Sequence, residues 1–238
     1  MAAKKKPAKK PAPKKKPAVK RVELPEEWEA APEPGWVEPA LAEEFPGIGI
    51  ATTTLAVGSG RSPEALKERL RELSNRFGGA QAVIQRQLPI PWAYRVFFRH
   101  IGLDPDTTRT PVEQLGLDRM RGGRFKSRNR LDDAIAIAIA EVGVAVQAFD
   151  ADKIGGRVGL RLSSEGERFE GRASSLPTGT IVIADEERAL AVLFGALAEG
   201  RGVGKATKRT TLVAIRVKGV PDVALEESLW VAASAMLA

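Results

Sequence analysis

The densest group of side chains able to do chemistry lies in the stretch RMRGGRFKSRNR. It carries Arg119, Arg121, Arg124, Lys126, Arg128 and Arg130, with Phe125 among them. Guanidinium forks match phosphate oxygens bidentately. Gly122-Gly123 lets the backbone come close to an anion. The chemistry implied is contact with a phosphate backbone. The competing reading is a solvated loop partly paired with Asp118, Asp132 and Asp133. A smaller basic group follows in GRGVGKATKR, with Arg201, Lys205, Lys208 and Arg209. It is not a P-loop, because the glycine spacing is wrong and Ala206 replaces the hydroxyl residue after the lysine.

Candidates for acid–base or water-positioning work are few. Asn129 and Asp133 are four residues apart and share a helix face; helix capping explains them equally well. Asp150 and Asp152 flank a strand end, with Lys153 able to pair with either; a turn braced by local hydrogen bonds is the plain alternative. His100 is the one histidine and there are no cysteines. Thiolate metal sites, multi-histidine metal sites and cysteine nucleophiles are therefore excluded. His100 falls in the last turn of an expected helix, where a cation suits the helix dipole. No cofactor and no metal are expected.

The elements that must position these residues follow a marked division of charge. The 238 residues hold 37 Lys and Arg against 30 Asp and Glu, a net of +7. Residues 1–21 hold 10 of the basic residues and no acidic ones, leaving 27 against 30, a net of −3. The basic character belongs to a Lys/Pro/Ala tail that includes Lys4, Lys5, Lys6, Lys14, Lys15 and Lys16. Such a segment has too little apolar bulk to offset chain entropy and is expected to be disordered. It reads as an electrostatic arm for a polyanion, without sequence preference, since it lacks aromatics to stack on bases. Residues 22–46 reverse the sign, with eight glutamates, no Lys or Arg, and five prolines. They read as an acidic linker or a chain draped over the body. The body itself is placed at 47–238. The longest apolar run is too short for a membrane helix and no secretory signal is visible, so a cytoplasmic protein is expected.

Within the body, Gly47–Val57 is β-branched and alternating, a strand. Ser62-Pro63-Glu64 opens a helix carrying Leu66, Leu70, Leu73 and Phe77 on one face, stopped at Gly78-Gly79. Further helices are expected over Pro91–Ile101 (Trp92, Val96, Phe97 and Ile101 inward), from Pro111 to about Arg121, over Arg128–Val142 and over Leu225–Leu237. Short strands are expected at Val144–Phe149, Gly156–Leu162, Arg168–Glu170, Thr180–Ala184, Leu190–Phe194 and Thr210–Val217.

From Tyr94 onward the order of motifs carries a resemblance. The sequence shows YRVFFRHIGLDP, then RNRLDD opening a helix, then AFDADKI, then VIADEE before the last strands. Together these resemble the B3/B4 domain of the phenylalanyl-tRNA synthetase β subunit, and more closely its free-standing forms. The resemblance implies an α+β fold with mixed sheets and flanking helices. In the synthetase this domain contacts tRNA and hydrolyses tyrosine wrongly attached to it. By position, Gln147 stands where that family has a pocket histidine, Ile135 and Ala136 where it has Thr-Asn, and Val213 where a glutamate reads the tyrosine hydroxyl. An apolar lining cannot hydrogen-bond that hydroxyl, so tyrosine discrimination is expected to be lost.

Three readings remain open. The first is a tRNA-binding module of the editing type, acting in trans on mischarged tRNA with water as nucleophile and Asn129, Asp133, Gln147 and backbone near Gly195 lining the pocket. The second is a non-enzymatic nucleic-acid binder anchored by its tail. The third is a small-molecule or amino-acid sensor. A complete ligase is not expected, because no nucleotide-binding motif is present. Oligomeric state is left open.

Overall fold

The computed structural model describes Trp28 and residues 31–238. The basic tail, with Lys4, Lys5, Lys6, Lys14, Lys15 and Lys16, lies outside the described residues. The architecture is α+β, with two four-stranded sheets flanked by helices.

The first sheet has the order β1-β3-β8-β4, all antiparallel: β1 (Glu33–Pro34), β3 (Gly49–Leu55), β8 (Thr210–Arg216) and β4 (Val146–Asp150). The second has the order β2-β5-β6-β7: β2 (Trp36–Val37) runs parallel to β5 (Gly159–Leu162), followed antiparallel by β6 (Ile181–Ala184) and β7 (Ala189–Val192). Residues 33–46 supply β1, β2 and the short α1 (Pro39–Glu44), whose Leu41 is fully buried. Trp28 is buried edge-on against Trp230, with ring centroids 4.4 Å apart.

Helices α2 (Glu64–Arg76), α3 (Gly79–Gln85), α4 (Pro89–His100), α5 (Pro111–Gly122), α6 (Arg130–Val142) and α7 (Asp222–Leu237) complete the fold. Leu66, Leu70, Leu73 and Phe77 are all buried, as their spacing requires. Thr110 and Glu113 form a capping box at the start of α5. Helix α6 ends at Gly143 in the left-handed region, φ 86°. Its Ile135, Ile137 and Ile139 alternate like a strand, yet the interleaved alanines let it pack closely on α7.

Four expectations need correction. Gly78-Gly79 ends α2 but opens α3 directly, because Gly79 can be helical once α2 has closed. Arg168–Glu170 is a turn rather than a strand; Phe169 drops from it into a small cluster with Leu176, Val182 and Ala198 beneath the second sheet. Trp92 faces outward, with Arg99 over its ring, while Tyr94, Phe97 and Phe98 face the core. The strand expected over Leu190–Phe194 stops at Val192, and Phe194 leaves it at φ 56° to insert among Tyr94, Phe97 and Phe98.

Tyr94 joins the layers. Its hydroxyl donates to the Ile215 carbonyl of β8 and accepts from the Ala145 amide at 3.1 Å. Burial pushes the phenol well above its ordinary range, so it stays neutral and able to donate. Among the described residues no helix is long and apolar enough to cross a membrane. Tyr94→Phe strips two buried backbone groups of their partner and is expected to cost about 2 kcal/mol, read as a lower urea midpoint at unchanged slope.

Candidate nucleic-acid interface

Asp133 organises the basic loop. It sits in the first turns of α6, almost fully buried. Its carboxylate accepts from the Ser62 hydroxyl at 2.6 Å, the Ser127 hydroxyl at 2.6 Å and the Arg128 amide at 2.9 Å. The helix N-terminus adds a favourable field for the negative charge. Asn129 caps the same helix: its Oδ1 accepts from the Asp132 amide at 2.9 Å, and its Nδ2 donates to the Asp132 carboxylate. At the other end of the loop Phe125 is buried against Phe77, and its amide donates to Ser74 Oγ at 3.0 Å. The segment from Gly123 to Asn129 has no regular structure but is pinned at Phe125, Ser127, Arg128 and Asn129.

Pinning the loop turns its cations outward. Arg121, Arg124, Lys126 and Arg128 are exposed. None makes an ion pair among the described residues. Asp118 instead accepts from Gln114, Asp132 from Asn129, and Asp133 is enclosed. Arg119 is turned inward and donates to the Ser74 carbonyl at 2.9 Å. Arg130 is half-buried at the helix start beside Gly60. Of the six basic residues in the stretch, four are presented and two belong to the scaffold.

The four cations ring a cavity of about 480 Å³. Leu70, Leu115, Ile135, Ala136 and Ile139 line it together with the four cations and with Asp118, Asp132 and Asp133. A concave site that combines apolar surface with charged groups is the usual form of a ligand site. The second basic group is divided too. Arg201 is engaged by Glu170, with bonds of 3.0 and 2.8 Å, and holds that carboxyl below its usual range. Arg209 pairs with Asp152 at 2.8 Å. Lys205 and Lys208 are exposed and make no ion pair among the described residues.

The structure does not bring Asn129, Asp133 and Gln147 into one pocket. Asp133 lines the 480 Å³ cavity and Asn129 does not. Gln147 lies on β4, paired with Val213 of β8, and its Oε1 is buried without a partner. Ile135 and Ala136 line the cavity, whereas Val213 is enclosed in the core. Gly195 follows the left-handed Phe194 and packs against Val192.

The residues behind the motif resemblance act as braces. Tyr94 links two layers, and Arg95, buried, pairs with Glu113 and with Asp106 at 2.8 Å. Asp150 accepts from the Asp152 amide and from the Thr207 hydroxyl. Asp185 accepts from the amides of Gly155, Glu187 and Arg188 at 2.7 to 2.8 Å. Among the described residues no cluster of His, Asp or Glu could hold a metal ion.

A family model described as the B3/4 domain matches residues 93–228, more than half of the chain. The chain belongs to that family. Among known proteins it is similar to phenylalanine–tRNA ligase beta subunits. That of Photorhabdus laumondii is 29% identical over 100 residues, 40% of this chain and 12% of the ligase subunit. That of Pseudomonas savastanoi is 33% identical over 95 residues, covering 39% and 12%. That of Legionella pneumophila is 33% identical over 78 residues, covering 32% and 10%. The chain thus spans about an eighth of the length of the curated relatives it matches or less.

Asp133→Ala removes the common acceptor of three donors. It is expected to lower stability by about 2–3 kcal/mol in urea unfolding. It should also raise amide exchange specifically over residues 123–129.

Proposed function

We propose that this B3/4 domain binds RNA, with tRNA as the preferred partner. The contact is the phosphate backbone, through Arg121, Arg124, Lys126 and Arg128. The observation that carries the reading is the set of four exposed cations, unpaired among the described residues, held by a pinned loop around a concave site. Fixed charges lose less conformational entropy on binding than mobile ones. The relatives' name, tRNA ligase beta subunit, supports RNA over other polyanions. Lys205 and Lys208 extend the basic surface, and the tail with Lys4, Lys5, Lys6, Lys14, Lys15 and Lys16 adds affinity without selectivity.

Hydrolysis of mischarged tRNA is the finer reading. Against it stands the engagement of Asn129 and Asp133 in capping and bracing, with Gln147 placed elsewhere. Binding without an assigned reaction is the function this geometry favours. Incubating the full chain with mischarged tRNAs and following deacylation tests the finer reading directly; release above the spontaneous rate would restore the hydrolase.

Two measurements test the binding. Replacing Arg124 and Arg128 by Ala in the full chain is expected to weaken tRNA binding and to reduce the salt slope by about 2. Equal slopes for mutant and parent would remove the loop from the interface. Deleting residues 1–21 is expected to lower affinity for tRNA and duplex DNA alike, flattening both salt dependences. Tail-dependent binding with no preference for tRNA would leave only a general polyanion anchor.

A further inference from the structure

The two basic groups of the chain meet at the short segment between β3 and α2, residues 56–63. The Gly60 carbonyl accepts from the Arg130 amide at 3.2 Å, and the Ser62 hydroxyl donates to Asp133 at 2.6 Å. Both partners stand at the start of α6, where the first basic loop ends. On the other side, the Ser59 hydroxyl donates to the Gly204 carbonyl at 3.3 Å. Gly60 turns the chain between these contacts with φ 40°. Gly58 packs against the second loop so closely that a methyl group there would sit 2.0 Å from the Thr207 carbonyl oxygen. Two hydrogen bonds and one peptide step thus link Arg130 to Gly204, which keeps the two within about 20 Å.

The second loop is itself a closed turn. The Gly204 amide donates to the Thr207 hydroxyl at 3.0 Å, and the Thr207 amide donates to the Gly204 carbonyl at 3.3 Å. The Thr207 hydroxyl donates in turn to Asp150 at 2.7 Å, and the Thr210 hydroxyl donates to the Val57 carbonyl at 2.6 Å. Lys205 falls inside this turn and Lys208 just after it, and both are exposed. Arg61 is exposed as well, between Gly60 and Ser62, the two anchors on the α6 side. None of these three cations makes an ion pair among the described residues. Glu64, three residues after Arg61, pairs with Lys67 and Arg71, each at 3.3 Å.

Exposed cations on three chain segments, tied to one another by hydrogen bonds, form a surface of one sign. A single phosphate could meet all of them only by crowding like charges together, whereas a run of phosphates need not. We propose that Arg61 is a further phosphate-binding residue, and that residues 58–62 clasp the Arg124–Arg128 and Lys205–Lys208 loops into one continuous track for an RNA backbone. The inference rests on the RNA reading above and extends it. The clasp is a positioning element: it fixes Lys205 and Lys208 relative to Arg128, so that one strand engages both loops. Arg61 lies ahead of residues 93–228, the part that the family model matches, so the track draws on a segment outside the shared pattern.

The test is tRNA binding by the full chain across a series of salt concentrations. Arg61→Ala is expected to reduce the salt slope by about 1, and joint replacement of Lys205 and Lys208 by Ala to reduce it by about 2. Gly58→Ala removes no charge, but its methyl group must displace the Thr207 carbonyl. It should therefore also lower the slope, by moving the second loop out of line. Should Gly58→Ala fail to fold, the exposed lysine pair decides the matter. If replacing Arg124 and Arg128 weakens binding while Arg61→Ala and the lysine replacement match the parent in affinity and slope, the track is overturned and the RNA reading stands. A folded Gly58→Ala protein with the parent's slope overturns the clasp. If replacing Arg124 and Arg128 is without effect too, the RNA reading falls and the track falls with it.

Discussion

The hydrogen-bond bridge at Tyr94 fixes the relation between helix α4, strand β8 and the turn before β4. Without it the phenol ring could still fill its space, but α4 would have no directional tie to the central sheet. The aromatic cluster depends on that tie. Phe194 accepts a left-handed backbone, an uncommon conformation for a bulky residue, because Tyr94, Phe97 and Phe98 are held where its ring can reach them. The next residue on α4, Arg95, carries the same constraint outward to α5 through Glu113 and to the loop before it through Asp106. Asp106 is kept ionised by that guanidinium, below its usual carboxylate range. One turn of helix thus orders the sheet, the aromatic core and the helix that leads into the basic loop.

Charge in this molecule has two roles. Asp133, Asp150 and Asp185 each collect amide or hydroxyl donors and shape a turn. Each of these carboxylates is held in place by its donors. The six basic residues in the stretch do not act alike: Arg119 donates to a backbone carbonyl and Arg130 is half-buried beside Gly60, so neither is presented.

Much of the fold was legible in the sequence where periodicity and punctuation agreed. The leucine face of α2, the Pro111 start of α5, the alternation of β3 and the end of α6 at Val142 each had a local physical cause. Errors arose where tertiary packing decided. Trp92 fits an inward helical spacing as well as Tyr94 does, and only the sheet's need for a hydroxyl partner separates them. Phe169 reads as part of a strand because burial of a lone aromatic looks the same in a turn. Helix α3 follows a glycine pair that reads as an ending. For the site, the sequence identified the basic loop but not which cations are free, since that depends on the three donors gathered by Asp133.

The order of the strands along the chain has a consequence for where the domain ends. The family match covers residues 93–228, yet β1, β2 and β3 all lie ahead of it. A chain cut to the matched region would leave β8 with its whole β3-facing side unpaired, since all seven of its residues are in register with Gly49–Leu55. An uncovered, largely apolar strand in the middle of a sheet is a template for pairing with another molecule. The packed fold is therefore wider than the pattern by which the family is recognised.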